Sequence, residues 1–282
     1  MRINFNPQFC QNPVQKLHLV LNMTQMKLSK NIGLLVTDNH SIIVAAIVSF
    51  LSLLLNSCII SSDKDSIKGN REYSEVVRTV DPFDEIEIRG DFDVLLKEWD
   101  KPEVVIEADA NLHNYIYTEV KNRKLVISQP DNTTLKSLRS VDITIHHQKL
   151  INMVFIGNTK VETDETLNFD SIDISFIGSS KAKLDLNGRY MSGVFPGSSN
   201  IELKGITDKV KFDFSGASIL DATNLKVNDF DLSLAGAGKA DIYVIKSLSV
   251  NIAGAGLVNY KGNPEKVHSN IGGIGNLRNQ ED

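Results

Sequence analysis

One short motif occurs seven times between residues 155 and 276: FIGNTK (155–160), FIGSSK (176–181), FPGSSN (195–200), FSGASI (214–219), LAGAGK (234–239), IAGAGL (252–257) and IGGIGN (271–276). Each copy has an apolar residue, one spacer and then a glycine. The seven anchor glycines are Gly157, Gly178, Gly197, Gly216, Gly236, Gly254 and Gly273. They are spaced by 21, 19, 19, 20, 18 and 19 residues. Such a constant period indicates a fold built from stacked equivalent units.

Apolar residues recur at fixed positions around each anchor glycine. The column two residues before the glycine contains Phe155, Phe176, Phe195, Phe214, Leu234, Ile252 and Ile271. Polar residues alternate with apolar ones, as Lys211 and Asp213 do on either side of Phe212. A period of two predicts strands with one buried and one solvated face, and it excludes a helical repeat. We predict that the column forms a buried core ladder with neighbours roughly 5 Å apart.

Short strands that recur every 19 or so residues can stack in register, so that each coil buries its inner face against the next. The sequence therefore predicts an all-β domain with the architecture of a parallel β-helix, or solenoid. The anchor glycines are predicted to lie at turns that need positive φ or close backbone approach. The segment FDEIEIRG (83–90) has the same pattern and adds Gly90 as one more anchor.

Three motifs in this order resemble the GIN domain, also called the head domain of autotransporter adhesins. They are the opening FDEIEIRG (83–90), the Gly-Ala-Gly steps at 236–238 and 254–256, and the closing VNYKGNP (258–264). The resemblance covers residues 80–279. It implies a right-handed parallel β-helix, here with coils of about 19 residues, on secreted or lipid-anchored proteins of the bacterial envelope. It implies no established catalytic activity.

The N-terminal region is typical of a signal peptide. Residues 42–55 (IIVAAIVSFLSLLL) carry no charge and are too few to span a bilayer, which needs about 20 apolar residues. Leu55 and Ser57 before Cys58 are typical of a bacterial lipobox, which predicts lipidation of Cys58 and a membrane anchor. The alternative is a buried apolar helix that ends in an ordinary cysteine.

These patterns divide the chain into four predicted segments. They are a signal peptide at 1–57 with a natural start at Met26, a lipidated cysteine and polar tether at 58–79, the β-helix domain at 80–279, and a tail at 280–282. The predicted localisation is the cell envelope, as an outer-membrane lipoprotein that faces the periplasm or the exterior.

Composition excludes several classes of function. The 282 residues contain 30 basic and 35 acidic side chains, so a net charge of −5 offers no basic surface for nucleic acid. Two cysteines, Cys10 and Cys58, exclude a disulfide framework and a cysteine-based zinc site. The sequence predicts no metal and no cofactor.

Some β-helices are polysaccharide lyases or glycoside hydrolases, and a glycosidase needs a pair of carboxylates. The candidates are Asp91 with Asp93, Asp170 with Asp173, Asp229 with Asp231, and the isolated Asp213, Asp221 and Asp241. We interpret these acids as the solvated face of the solenoid. His146 and His147 are adjacent and so lie on opposite faces of a strand, while His113 and His268 are isolated.

The sequence therefore predicts a non-enzymatic binding, adhesion or structural module for a glycan or an envelope protein. The alternative is a β-helix enzyme that acts on polysaccharide. Four aromatic residues near the N-terminal part, Tyr73, Trp99, Tyr115 and Tyr117, have two interpretations. They can stack on sugar rings or cap the end of the core, and we predict capping.

Overall fold

The computed structural model describes residues 65–280. The strands are β1 (Asp65–Lys68), β2 (Tyr73–Thr79), β3 (Glu85–Arg89), β4 (Asp93–Glu98), β5 (Glu103–Asp109), β6 (Tyr117–Lys121), β7 (Lys124–Ser128), β8 (Thr133–Lys136), β9 (Asp142–His147), β10 (Asn152–Thr163), β11 (Leu167–Lys261), β12 (Lys266–Gly273) and β13 (Asn276–Asn279). A 3₁₀ helix, Ala110–Tyr115, separates β5 from β6. The prediction of an all-β fold is confirmed. The predicted signal peptide and Cys58 lie outside the described residues.

Almost all strands join one mixed sheet. Its order is β2-β5-β9-β4-β10-β3-β7-β6, and β11 continues it from β10 to β12 and β13. The pairs β2–β5, β5–β9 and β6–β7 are antiparallel, and the other pairs of this sheet are parallel. The repeat does not predict the antiparallel pairs, which lie N-terminal to it. Within residues 65–280, no helix is long and apolar enough to cross a membrane.

Equivalent positions of successive repeats lie side by side. In the parallel pair of β10 and β11, Phe155 is the register partner of Phe176, and Gly157 is the partner of Gly178. Along β11 the column continues, with ring centroids 5.8 Å apart for Phe176 and Phe195. The centroids of Phe195 and Phe214 are 4.4 Å apart. The motif spacing therefore sets the register of the stack.

The inward column is buried over most of its length. Its buried members, each at most 5% exposed, are Phe155, Phe176, Phe195, Phe214, Leu234 and Ile252. Ile271 is 40% exposed, so the expectation of a fully buried column is wrong at its last member. Ile271 lies on β12, which pairs with β11 and with no other strand among residues 65–280. No described coil covers its outer side.

Phe212 and Phe230 add a second aromatic set beside this column. Phe212 packs edge-on against Phe195 at 5.2 Å and against Phe230 at 5.8 Å between ring centroids. Edge-to-face and offset contacts are the favourable arrangements of aromatic rings. Two sets of phenylalanine side chains thus pack the interior of the middle coils: the stacked inward column, and Phe212 with Phe230 beside it.

The anchor glycines bring the backbones of adjacent coils very close together. All eight have positive φ; they are Gly90, Gly157, Gly178, Gly197, Gly216, Gly236, Gly254 and Gly273. A Cβ on Gly178 would lie 2.7 Å from the carbonyl oxygen of Gly157, and a Cβ on Gly273 would lie 2.6 Å from that of Gly254. Only glycine combines this φ with this approach.

Truncation of the inward column should be costly. We expect Phe195→Ala or Phe214→Ala to lower the free energy of unfolding by about 3–5 kcal/mol, because each removes a buried ring that stacks on the inward column and leaves a cavity. Lys211→Ala, on the exposed face of the same strand, should change it by about 0.5 kcal/mol or less. Urea unfolding followed by circular dichroism measures both. Equal effects of the two kinds of variant would contradict the buried stack.

Candidate functional site

The outer face of the stack carries polar side chains that bond to the equivalent position one coil further along. Lys183 Nζ contacts Glu202 Oε2 at 2.9 Å, and Lys204 Nζ contacts Asp185 Oδ2 at 3.1 Å. Asn270 Nδ2 donates to Asn251 Oδ1 at 3.1 Å. These contacts link adjacent coils, so the outward columns contain structural ladders as well as solvated charge.

Most of the predicted candidate carboxylates bond to a group on an adjacent coil or to a residue close by in the sequence. Asp170 pairs with Arg189, whose guanidinium lowers the pKa of the carboxyl. The others with side-chain or backbone donors are Asp91 with Asn158, Asp173 with Ser192, Asp221 with Thr223, Asp229 with Ser247, and Asp241 with Lys239 and Asn259. Asp93 lines a pocket whose lining does not include its predicted partner Asp91.

Asp93 lies in a shallow pocket of about 260 Å³ together with Glu107, Asp142, Lys160 and Glu162. Lys160 Nζ contacts Glu162 Oε1 at 2.9 Å, and this bond raises the pKa of the lysine. The side chains that line the pocket thus include an ion pair.

Asp142 accepts hydrogen bonds from two residues that do not line this pocket. Tyr73 donates its hydroxyl to Asp142 Oδ2 at 2.9 Å, and Ser140 donates to Oδ1 at 2.6 Å. Burial, followed by this bond to Asp142, raises the pKa of Tyr73 to about 12. Both carboxylate oxygens therefore accept hydrogen bonds.

The histidines are separated by the strand geometry. His147 points into the core and is 2% exposed, whereas His146 lies on the other face of β9. No group of three or more His, Cys, Asp or Glu residues that could hold a metal ion occurs within the described part of the chain.

Trp99 follows directly after β4 and is 53% exposed. The prediction that it caps the core is therefore wrong. Val94 and Leu96 are the inward residues of β4, so odd-numbered residues face outward and Trp99 continues that parity. This alternation is visible in the sequence, so the outward position of Trp99 was predictable from it. Tyr115 and Tyr117, also predicted to cap the core, are exposed as well.

Several contacts hold the segment around Trp99 in place. Its backbone N–H donates to the carbonyl oxygen of His147 at 2.8 Å. Gln148 Nε2 donates to the carbonyl oxygen of Asp100 at 2.9 Å. The indole lies over His146 with 5.8 Å between ring centroids, and His146 Nδ1 is 2.8 Å from Glu103 Oε1. The backbone hydrogen bond to His147 and the ring contact with His146 thus hold the exposed indole in place.

This arrangement, the Trp99 platform, consists of Trp99, Glu98, Asp100 and Gln148 around a hollow of about 390 Å³. One wall is a broad apolar ring, and the others offer carboxylate and amide groups that can form hydrogen bonds. An exposed aromatic face with polar neighbours is suited to a ligand that has both an apolar face and hydroxyl groups. The sequence pattern does not predict the roles of Gln148, Glu103 and His146.

Comparison with known proteins gives the family. The family described as "Putative auto-transporter adhesin, head GIN domain" matches residues 82–264. The chain belongs to this family. The resemblance drawn from the glycine repeats and the closing VNYKGNP motif is thereby confirmed. No curated protein matches the chain.

Solved structures similar to this GIN domain have all-β folds that cover about three quarters of the chain. A "putative adhesin" from Bacteroides fragilis has a TM-score of 0.72 at 20% identity, covering 76% of this chain and 100% of its own. A "putative lipid binding protein" from Parabacteroides distasonis has a TM-score of 0.63 at 22% identity, covering 77% and 100%. A "putative adhesin" from Parabacteroides merdae has a TM-score of 0.58 at 21% identity, covering 77% and 99%. These identities show a shared fold.

The family is consistent with a binding or adhesion module of the envelope or the cell exterior. The family and these neighbours are described as adhesins and a lipid-binding protein rather than as enzymes.

The stability of the GIN domain should depend on pH through the buried His147. Burial lowers the pKa of His147 to about 4 from its usual 6.5, and the nearby His146 also lowers it. The unfolded chain then binds a proton between these pH values that the folded chain does not. Stability from this group is complete above about pH 6.5 and falls as the pH drops toward 4.

We expect the free energy of unfolding of the wild type to fall by about 3 kcal/mol more than that of His147→Leu between about pH 7 and pH 4. Urea unfolding across this range measures the difference in slope. His268→Leu removes an exposed ring and should keep the wild-type slope. Parallel pH profiles for wild type and His147→Leu would contradict the burial of a neutral imidazole.

Proposed function

We propose that this chain is a lipid-anchored, non-enzymatic protein of the cell envelope whose GIN domain binds a glycan through the Trp99 platform. The observation that carries the proposal is the exposed indole, which the backbone of His147 and the ring of His146 hold in place. Tryptophan is enriched among the residues that contribute most to binding interfaces, and an indole held in one position has less freedom to lose when a ligand binds. The adhesin names of the family and its structural neighbours support a binding role.

The architecture proposed for the domain is a right-handed parallel β-helix with coils of about 19 residues. The parallel register of Phe155 with Phe176, and of Ile252 with Ile271, supports a stack of equivalent coils. In such a stack each coil contacts only its neighbours, so the geometry of the Trp99 platform depends on the strands next to it.

Charge around the platform favours a neutral glycan. Glu98 and Asp100 line the hollow, and Glu103 lies beside His146. These carboxylates would repel a uronic acid or a sulfated sugar, whereas they can accept hydrogen bonds from sugar hydroxyls. An envelope protein as partner is the other candidate, and it would have to present an apolar residue to the same indole.

The proposed absence of catalysis is supported by the outward acids. A glycosidase needs two carboxylates about 5–5.5 Å or 6.5–9.5 Å apart on either side of a bound sugar. Asp170, Asp229 and Asp241 instead bond to side chains on neighbouring strand segments. A reducing-sugar assay on the purified chain should therefore show no release of new ends, and turnover would overturn this part of the proposal.

Loss of the indole should weaken glycan binding strongly. We expect Trp99→Ala to weaken binding to neutral oligosaccharides on a glycan array by about 30-fold, which corresponds to about 2 kcal/mol for a central aromatic contact. Trp99→Phe should retain part of the affinity, because a smaller ring still offers a stacking face.

Tyr117→Ala is the matched control, since it removes another exposed aromatic residue that is not part of the platform. Its array profile should equal that of the wild type. Wild-type affinity of Trp99→Ala would show that the platform is not the glycan site.

The anchor is proposed at Cys58, which makes the chain an outer-membrane lipoprotein. Its support is the lipobox-like sequence LNSC (55–58) after the uncharged segment 42–55. More than one buried acyl chain is needed for durable membrane attachment, at about 0.8 kcal/mol for each buried methylene.

Cys58→Ser should abolish incorporation of radiolabelled palmitate and release the chain from the membrane fraction. Cys10→Ser is the matched control, because it removes the other cysteine of the sequence and lies before the predicted cleavage point. Labelling of Cys58→Ser at the wild-type level would contradict the anchor.

A further inference from the structure

Among residues 65–280, the inner face of the coil formed by β12 and β13 is uncovered. All eight residues of β12 are exposed, although Val267, Ser269 and Ile271 continue the inward columns of Leu248, Val250 and Ile252. Val267 is 45% exposed and Ile274, just after β12, is 88% exposed. Such a row of apolar side chains at an edge is unfavourable in water.

The backbone of this coil is also half unpaired. Within residues 65–280, β12 and β13 pair with β11 alone, so the outer edge of each has no strand beside it. An unpaired edge of eight residues is a template for another strand unless proline, charge or a bulge blocks it. Residues 267–273 contain no proline and no Lys, Arg, Asp or Glu. Apart from Lys266 at its first position, the edge of β12 therefore lacks proline and charged residues.

The opposite end of the stack is closed by a specific contact. Arg78 on the edge strand β2 donates from Nη1 to Thr118 Oγ1 at 2.8 Å and from Nη2 to the carbonyl oxygen of His113 at 2.9 Å. This guanidinium ties β2 to the 3₁₀ helix and to β6, the other edge strand. The two ends thus differ, and the open one is C-terminal.

We propose that the open end pairs with the same end of a second copy, with the two β12 strands antiparallel about a two-fold axis at Ser269. In this register Val267 lies opposite Ile271 of the partner subunit, and Ile271 opposite the partner's Val267. Both pairs lie on the inward face, so the apolar interior continues across the interface.

Charge supports the same register. Lys266, the one charged residue of β12, falls opposite Gly272 of the partner subunit rather than opposite the partner's Lys266. His268 falls opposite Asn270 of the partner subunit. Like charges placed directly opposite each other would be destabilising in an antiparallel pair, and this register avoids them.

The pattern of β12 is what favours a second copy as the occupant. The inward positions on the two sides of Ser269, Val267 and Ile271, are both apolar. A second copy of the strand that runs in the opposite direction therefore places an apolar residue opposite each of them. A two-fold interface requires this property, because each residue must fit the same surface of its partner. The paired strands would exchange main-chain hydrogen bonds along β12 while burying the four facing apolar side chains.

The first test is the mass of the full-length chain purified in detergent, measured by light scattering with the detergent subtracted. We expect a dimer for the wild type and a monomer for Ile271→Lys, because the latter buries two lysines in the interface. Ile271 is already exposed in the single chain, so folding should be retained. Ser249→Lys, an exposed position on the preceding coil and the register partner of His268, is the control and should remain dimeric.

The second test is disulfide trapping in membranes, with Cys10→Ser as background. A cysteine can bridge only when the Cα atoms are within about 7 Å. Ser269→Cys lies on the proposed axis and should form a covalent dimer on oxidation. His268→Cys should not, because it is displaced by two residues from its symmetry mate and faces outward.

A monomeric wild type would overturn the proposal and would leave the edge free or covered by residues of the same chain. A dimer that persists in Ile271→Lys, or that forms disulfides equally at residues 268 and 269, would place the interface elsewhere. These results are independent of the Trp99 platform, since none of the substitutions touches it.

Discussion

The spacing between adjacent coils is set where one glycine backbone passes directly over another. Any side chain at such a position would meet the carbonyl oxygen of the glycine one coil below, as a Cβ on Gly178 would meet that of Gly157. Removal of the Cβ lets the strands approach to hydrogen-bonding distance at the turn. The stacked phenylalanines and the outer polar ladders both need that same distance. The glycine column is therefore the constraint on which the stacked coils depend.

The repeat made the register of the stack predictable, and it carried no information about the ends. The column correctly predicts that Ile271 faces inward. Its exposure, however, depends on whether another coil covers it. The antiparallel hairpin of β6 and β7 has a different cause. Asn122 and Arg123 both adopt positive φ between the two strands, and arginine is an unusual residue there. A sequence pattern without glycine at this turn gave little reason to expect a hairpin.

The candidate site was only partly predictable. The alternation of Val94 and Leu96 places Trp99 on the outer face, so its exposure was available from the sequence. Its support was not, because His146 and His147 contact Trp99 from β9, Glu103 at the start of β5 contacts His146, and Gln148 after β9 bonds to Asp100. Sequence separations of this size are bridged only by the pairing of β4 with β9 and of β5 with β9. The site thus lies in the irregular part of the domain, and the regular part provides its rigid base.

The direction of the hydrogen bonds has a mechanical consequence. In the proposed β-helix they run from each coil to the next, along the axis of the stack and not around it, as the parallel pairs β10–β11 and β11–β12 do. A pull between the N-terminal strands and the last coil would therefore act along these bonds and open one coil at a time. Each opened coil of about 19 residues releases roughly 60 Å of chain. The domain would lengthen under tension in steps and dissipate force gradually, while the coils that remain stacked keep their structure.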